Sequence, residues 1–458
     1  MICLSTELLL RMNKKVLLMI LAMMLSATGA MAQIEVDDED DGDDEDEIVV
    51  TDQKGNEEII EFPEAMTYDL DSLLNLYMSK TYLDENDCNM RDENPTYTKE
   101  EYIERLSRIP TVMEMAYNDV VQKFIDRYSG RLRRSISYML GASNFYMPIF
   151  EEALEMYQLP LELKYLPIIE SALNPTAVSR VGASGLWQFM IGTGKQYGLQ
   201  VNSLVDERRD PVKSSYAAAR YLKDLYKIFG DWNLVIAAYN CGPENINKAI
   251  RRANPTTAKT PEGEAAPVIK DYWHIYPYLP RETRGYVPAF IAANYIMTYY
   301  SQHNICPMST RLPAKTDTVM VSHNLHLEQV AEVVGINIDL LRSLNPMYRR
   351  DVLPGTTEPC ALRLPQTEVG KFIDMEDSVY NYKSDELFNK RTEVEVKDDV
   401  PTYYHKSKRY ARGKKVRVSK RTVRVKGKRT KATRKKTTAK KRTTTSKKRK
   451  STSKKRRR

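Results

Sequence analysis

The sequence predicts a mainly α-helical chain with more than one domain. Three observations carry this. Apolar residues recur at three- and four-residue spacing from about Tyr68 to Tyr300, and almost nothing there alternates with period two. Helix starts are marked: Asp210-Pro211 supplies a cap and a first-turn proline, and Asp231-Trp232 opens another helix. From 317 to 365 the pattern changes to a β-branched strand, two helices and a second strand. With 458 residues the chain is long enough for two or three domains with cores of their own.

The elements follow in order. Met12-Asn13-Lys14-Lys15, the apolar run Val16 to Leu25 and the small-x-small site Ala30-Met31-Ala32 read as a signal peptide over 1–32. Export is expected, with the mature chain starting at Gln33; the plainer alternative is an uncleaved anchor. No Cys follows the cleavage site, so no lipid anchor is expected. Residues 33–67 read as an acidic disordered linker, since Asp37 to Glu47 is acidic at every position but Gly42. Residues 68–144 read as a helical lead-in. There Leu70, Leu73, Leu74 and Tyr77 share one face, Ile103, Leu106 and Ile109 run to Pro110, and Met113 to Leu140 breaks near Ser129-Gly130.

The dense core is 145–305. Phe150 to Ser171 is helical with kinks or restarts at Pro160 and Pro167. Helices are expected over Val212 to Phe229, from Trp232 through Tyr239, over Glu244 to Ala253 and over Tyr286 to Tyr300, with a surface loop at Thr256 to Pro267. The small β-α-α-β unit takes Thr318 to Val321, Leu327 to Val334 ended by Gly335, Ile338 to Leu344, and Cys360 to Leu364. Residues 366–400 are weakly patterned and read as a linker; 401–458 is a low-complexity, disordered Lys/Arg-rich tail.

Charge is divided as sharply as pattern. Lys406 to Arg458 holds 29 Lys and Arg and no Asp or Glu, so a formal net charge of +9 leaves −20 on the preceding body. Five cysteines lack CxxC spacing and five histidines are scattered, so neither a metal site nor a cofactor is expected. After loss of Cys3, four cysteines admit three full pairings. Cys241, in an apolar helix, reads equally as a buried free thiol.

One carboxylate stands out. Glu170 ends the apolar run LKYLPIIES. Ile168, Ile169, Leu173 and a helix C-terminus all disfavour its charged form, as delivery of a proton to a glycosidic oxygen requires. The bland alternative is an exposed Glu that happens to end a helix. Gly182 and Gly185 allow close backbone approach. Gln188 between Trp187 and Phe189 suits a sugar, with one of the two rings expected in the core. Tyr239 and Asn240 present a phenol and an amide at a helix end.

Three blocks now fall into place. ESALNPTAVSRVGASGLWQFM, AAYNCGPENI and YLPRETRGYV, in this order and spacing, resemble the soluble-lytic-transglycosylase family over roughly 110–300. The resemblance implies a goose-type-lysozyme-like α-helical catalytic domain. It implies Glu170 as general acid and then base. Ser179, Gln188 and Met190 match substrate-contacting positions, Tyr239 the tyrosine that hydrogen-bonds the carboxyl, and Glu282 a groove glutamate, with Asn240 beside them. It implies peptidoglycan glycan strands as substrate, cut between N-acetylmuramic acid and N-acetylglucosamine without water to leave a 1,6-anhydro ring. That agrees with the lack of a second carboxylate in the motif, although Glu207, Asp210 or Glu282 could fold close. DTVMVSHNLHLEQVAEVVGINIDLLRSLNP, then LPG and LRLP, resembles a LysM carbohydrate-binding module, with Ser322-His323-Asn324-Leu325 replacing the usual opening.

These readings place the protein in the periplasm or cell envelope. The tail would then meet anionic envelope polymers or lipid headgroups rather than nucleic acid. The alternatives are a non-catalytic wall-binding protein and a lysozyme-type hydrolase.

Overall fold

The structure, a computed structural model, describes residues 47–51, 57–63, 66, 93–255 and 267–388. The chain divides into two compact units after Tyr403, and everything described belongs to the first. The expected signal peptide, the helix face at Leu70 to Tyr77, most of the 256–267 loop and the basic tail lie outside the described residues. Among those described, no helix is long and apolar enough to cross a membrane.

The fold is mainly α. Helix α1 (Lys99–Arg108) starts with a capping box in which Thr98 and Glu101 each accept from the other's backbone N–H. Helix α2 (Asp119–Ser129) is capped by Asn118 and ends at Gly130, where the sequence predicts a break. Helix α3 (Arg133–Met156) then runs for 24 residues. It crosses the boundary expected at 144/145, so the lead-in and the core are one body sharing one apolar cluster. After a 3-10 turn at Leu161–Tyr165 come α4 (Leu166–Ser171) and α5 (Ile191–Gln196). Next are α6 (Pro211–Phe229), α7 (Trp232–Cys241) and α8 (Pro243–Ala253). Asp210 accepts from Val212 and Lys213, and Asp231 from Leu234, as the capping pattern predicts.

Short helices α9 (Tyr272–Ile275) and α10 (Arg281–Arg284) lead into α11 (Tyr286–Tyr299). Every residue of α11 from Tyr286 to Met297 is buried. A helix apolar on all sides belongs at the centre of a domain, and α11 packs on α2, α4, α7 and α10.

Part of the expected disordered linker is ordered. Strands β1 (Glu47–Thr51) and β2 (Glu57–Glu61) form an antiparallel hairpin, with Val49 opposite Ile59. Acidic flanks around one apolar run of three and one of two made too weak a strand signal. Tertiary packing supplies the rest: Ile60 is fully buried and β2 lies on α10.

The small unit has the predicted core order with additions. Strand β3 (Thr316–Val321) pairs antiparallel with β6 (Cys360–Pro365), and β4 (Asn324–His326) with β5 (Val352–Pro354). Between them α12 (Leu327–Val330) continues as a π turn to Gly335, and α13 (Ile338–Leu344) follows. Much of the expected 366–400 linker is also helical: α14 (Gln366–Asp374), α15 (Glu376–Asn381) and α16 (Ser384–Phe388). Phe372 and Val379 are fully buried in the small unit's core. Their apolar residues are too sparse to betray a helix, and it is the finished β-α-α-β surface that buries them.

The two cores interlock. Val205, from the helical body, lies in the small unit's cluster, while Leu344 of α13 lies in the large one. A β-bridge joins Val205 to Tyr348, with Asp206 N donating to Met347 O at 2.9 Å and Arg349 N to Leu204 O at 2.7 Å. Cys306 is disulfide-bonded while Cys241 and Cys360 are free, so full pairing of four cysteines does not hold. Burial pushes the Cys241 thiol up to about 11, as for an inert core thiol.

Candidate active site

Helix α4 lasts six residues and carries Glu170 in its final turn. Ala172 (φ 50°) and Leu173 (φ 59°) follow in the left-handed region. Two successive side chains there cost on the order of 1–3 kcal/mol each. Deep burial of both holds them in place. The turn is closed by Ala172 N to Ile168 O (3.1 Å) and Leu173 N to Pro167 O (3.3 Å). Ser171 Oγ lies 2.9 Å from Leu186 O, tying the helix to the loop that returns past it.

That loop, 174–190, is held by its own backbone. Ser179 and Ala183 exchange bonds, Ser179 N to Ala183 O at 2.9 Å and Ala183 N to Ser179 Oγ at 3.0 Å. Gly185 N donates to Ala177 O at 3.0 Å. Gly185 has φ +89°, and a Cβ there would sit 1.8 Å from Arg208 O. No other residue fits, which bears out the close approach expected at this glycine. Buried Arg208 spans the loop from behind, donating to Gly182 O (2.9 Å) and Phe189 O (3.0 Å).

Gln188 is half-buried in the left-handed region, and its Nε2 donates to Gly185 O (2.8 Å) and Ala177 O (3.3 Å). Both amide hydrogens are thus directed into the loop and the amide is fixed. The expectation of an aromatic sugar platform is corrected. Both Trp187 and Phe189 are core: Trp187 is fully buried, donates Nε1 to Ser215 Oγ at 2.9 Å and meets Phe150 edge-on. The segment is a turn rather than a strand: Gln188 is left-handed and half-buried, while Leu186, Trp187 and Phe189 around it are buried.

Glu170 is half-buried and accepts from the hydroxyl of Tyr286, the first residue of α11. The hydroxyl of Tyr239 instead donates to Trp187 O at 2.7 Å. The expectation that Tyr239 holds the carboxyl is corrected: its hydroxyl goes to Trp187 O, and Tyr286 is the tyrosine that donates to Glu170. Tyr239 comes from α7 and braces the loop, whereas α11 packs directly on α4 and delivers Tyr286 to Glu170. Tyr286 was open to view in YLPRETRGYV, directly after Gly285, but nothing in that string marks its side chain as inward-facing.

Burial, then the charge of Glu170, holds both phenols well above the ordinary range. They stay neutral donors at any physiological pH. Glu170 is the carboxylate whose charge bears on Tyr239. Glu207 and Asp210 are committed elsewhere: Glu207 accepts from Gln200 N at 2.7 Å and pairs with Lys213, and Asp210 caps α6. Glu282 lies exposed on α10. Its neighbour Thr283 donates Oγ1 to Asn240 Oδ1 at 2.9 Å, which links two of the expected site blocks. Met190 is exposed at the start of α5, and Ser179 is half-buried. The arrangement sets the carboxyl of Glu170 against a neutral donor, Tyr286, next to a loop held by its own backbone bonds. No group of three His, Cys, Asp or Glu among the described residues is placed to hold a metal ion.

The family model "Transglycosylase SLT domain" matches residues 147–260, and "Lytic transglycosylase MltD, LysM-like domain" matches 315–381. Membrane-bound lytic murein transglycosylase D of Escherichia coli (strain K12) is 34% identical over 209 residues, 45% of this chain and 43% of that protein. Membrane-bound lytic murein transglycosylase F of Maricaulis maris (strain MCS10) is 32% identical over 29% of this chain and 27% of its own. Soluble lytic murein transglycosylase of E. coli K12 is 32% identical over 29% and 19%. The chain thus spans less than half the length of these relatives. It carries a transglycosylase SLT domain, with a LysM-like domain of the transglycosylase D kind behind it.

Proposed function

We propose that the chain is a peptidoglycan lytic transglycosylase with Glu170 as its acid and base. The observation that carries this is the carboxyl of Glu170, inside the SLT-matched segment, in hydrogen bond with Tyr286 beyond that segment's end. The protonated carboxyl gives its proton to the oxygen of the bond between N-acetylmuramic acid and N-acetylglucosamine, and that bond breaks. The carboxylate left behind takes the proton of the muramoyl 6-hydroxyl, whose oxygen closes on the anomeric carbon. The proton count of the enzyme is restored, no water is consumed and the product ends in a 1,6-anhydro ring. A hydrolase needs a second carboxylate as nucleophile or water base. The commitments of Glu207 and Asp210 favour the one-carboxyl route.

In this reading Ser179, Gln188, Met190, Tyr239, Asn240 and Glu282 line the glycan path, with Gln188 presenting its carbonyl oxygen to a sugar hydroxyl or amide. Residues 145–305 form the catalytic domain and the LysM-like module adds glycan affinity. Export to the periplasm and attachment of the basic tail to anionic envelope polymers or headgroups complete the proposal.

The test is digestion of purified sacculi by wild type and Glu170→Gln, with the products weighed. Wild type should release fragments with anhydro ends, and the variant should lose about 10²–10⁴-fold in rate. Ordinary reducing ends from wild type would make the enzyme a hydrolase. Unchanged release by the variant would make it a binding protein carrying a contaminant activity.

A further inference from the structure

A cavity of about 340 Å³ lies where the SLT-matched body meets the LysM-like module, lined among others by Thr176, Arg209, Arg342, Arg349 and Arg350. Four guanidinium groups line it and no carboxylate does. The acids near it are engaged. Asp206 is shared between Arg208 and Arg349, both at 2.8 Å, and Asp351 and Asp339 pair with Arg342 at 2.7 and 3.1 Å.

Two groups remain underused. Arg209 is half-buried, and among the described residues its one bond is Nε to Ser184 Oγ at 3.2 Å, with no carboxylate partner. Nε of Arg349 is buried and has no hydrogen-bond partner among the described residues, while the same guanidinium meets Asp206 through its other end. A cation taken from water is costly unless anions offset it: burial works against the charge of Arg209, nearby Asp206 offsets part of this, and the charges of Arg349 and Arg208 add to the cost. Arg350 (φ 56°) and Asp351 (φ 63°) are held left-handed at the cavity edge, a strained turn of the sort that accompanies binding sites.

We propose that this junction cavity is a binding site for the carboxylates of an acidic peptide, namely the peptide arms of the glycan that Glu170 cuts. The inference rests on the proposed function for its ligand and on the cavity itself for its chemistry. Planar guanidinium forks match carboxylates in pairs of parallel hydrogen bonds. The site is wired to the catalytic loop: Thr176 lines the cavity, and Ser184, the partner of Arg209, pairs with Phe189 one residue past Gln188. A peptide arm hangs from the muramoyl ring, so a strand lying over Gln188 can send its arm towards this cavity. Binding there would select peptide-bearing over naked strands.

The experiment is calorimetry on the full chain with a free alanyl-glutamyl-diaminopimelyl-alanine arm, the same peptide with its carboxyls amidated, and inorganic phosphate. The acid form should bind, and the amidated form should bind about tenfold or more weakly. Arg209→Gln and Arg342→Gln should each weaken the acid form by a similar factor while melting cooperatively. If Arg209→Gln does not fold, Arg342→Gln decides. Equal binding of acid and amide, no binding of either, or phosphate binding as tightly as the peptide (an adventitious anion only) would each overturn the assignment. Anhydro ends from wild type without peptide binding overturn this site alone. Peptide binding without anhydro ends overturns the reaction and leaves the site.

Discussion

In the proposed reaction Glu170 gives a proton and then takes one back, which calls for a neighbour that holds its position in both states without competing for the proton. Tyr286 meets that condition, because burial and the charge of Glu170 keep its hydroxyl protonated. Tyr286→Phe should therefore keep the fold and lose about 10- to 100-fold in kcat, the worth of a hydrogen bond to a charged group; steady-state rates on sacculi check it. Tyr239→Phe should act differently. Its bond is to Trp187 O, so the loss should fall on loop order and on KM. Glu170, Gly185 and the position of Gln188 were all legible in the sequence, because each sits in one short motif. The division of labour between two tyrosines was not: both lie at helix ends in recognisable blocks, and only the packing of α11 on α4 decides which reaches the acid.

Helix starts and stops were readable wherever a residue acts on its own backbone, as Asp210, Asp231, Gly130 and Gly335 do. Elements that exist through what they rest on were not readable, and β1–β2 is the example. Gly285 lies beneath β2, and a Cβ there would sit 2.5 Å from Glu61 O and 3.0 Å from Phe124 Cζ. Its φ is ordinary, so the demand is for space alone. Gly285→Ala should push the hairpin off α10, destabilise the chain by about 1–3 kcal/mol and disturb Tyr286 next to it; denaturant melts with parallel rate measurements check both. At the far end of α11, buried His303 bonds Tyr295 Oη at 3.1 Å and Asn94 Oδ1 at 3.2 Å. Burial, with the charges of Arg105 and Arg133, lowers its pKa to about 4. The unfolded chain, with the ordinary histidine value, then binds the extra proton first. The stability this residue contributes is complete above about pH 6.5 and is lost as pH falls through 4, roughly 3 kcal/mol in all. Melting temperature should drop over that window, and His303→Gln should flatten the drop.

Over the whole molecule, the two domains matched by separate families are joined through Asp206. Burial pushes its carboxyl up, but hydrogen bonds from Arg208 and Arg349 and the charges of Arg208 and Arg209 overcome this and hold it below the ordinary range. Of its two hydrogen-bond partners, Arg208 braces the catalytic loop and Arg349 belongs to the module. Asp206→Ala leaves both cations stranded and should cost about 3–5 kcal/mol, read by denaturant melts, with sacculus turnover falling as the loop loosens. The sequence suggested two domains in a row, 145–305 and 317–365, each with its own core. It could not show that Val205 and Leu344 each lie in the other's core, since both are simply apolar residues near a turn.

That exchange of residues has a calorimetric consequence. Domains strung on a linker absorb heat in separate peaks, each with its own midpoint. Here neither core can open without exposing a side chain of its neighbour, so the described body should melt in one endotherm. Its van't Hoff and calorimetric enthalpies should agree, and damage to the module should be felt as a lower midpoint by the half that holds Glu170.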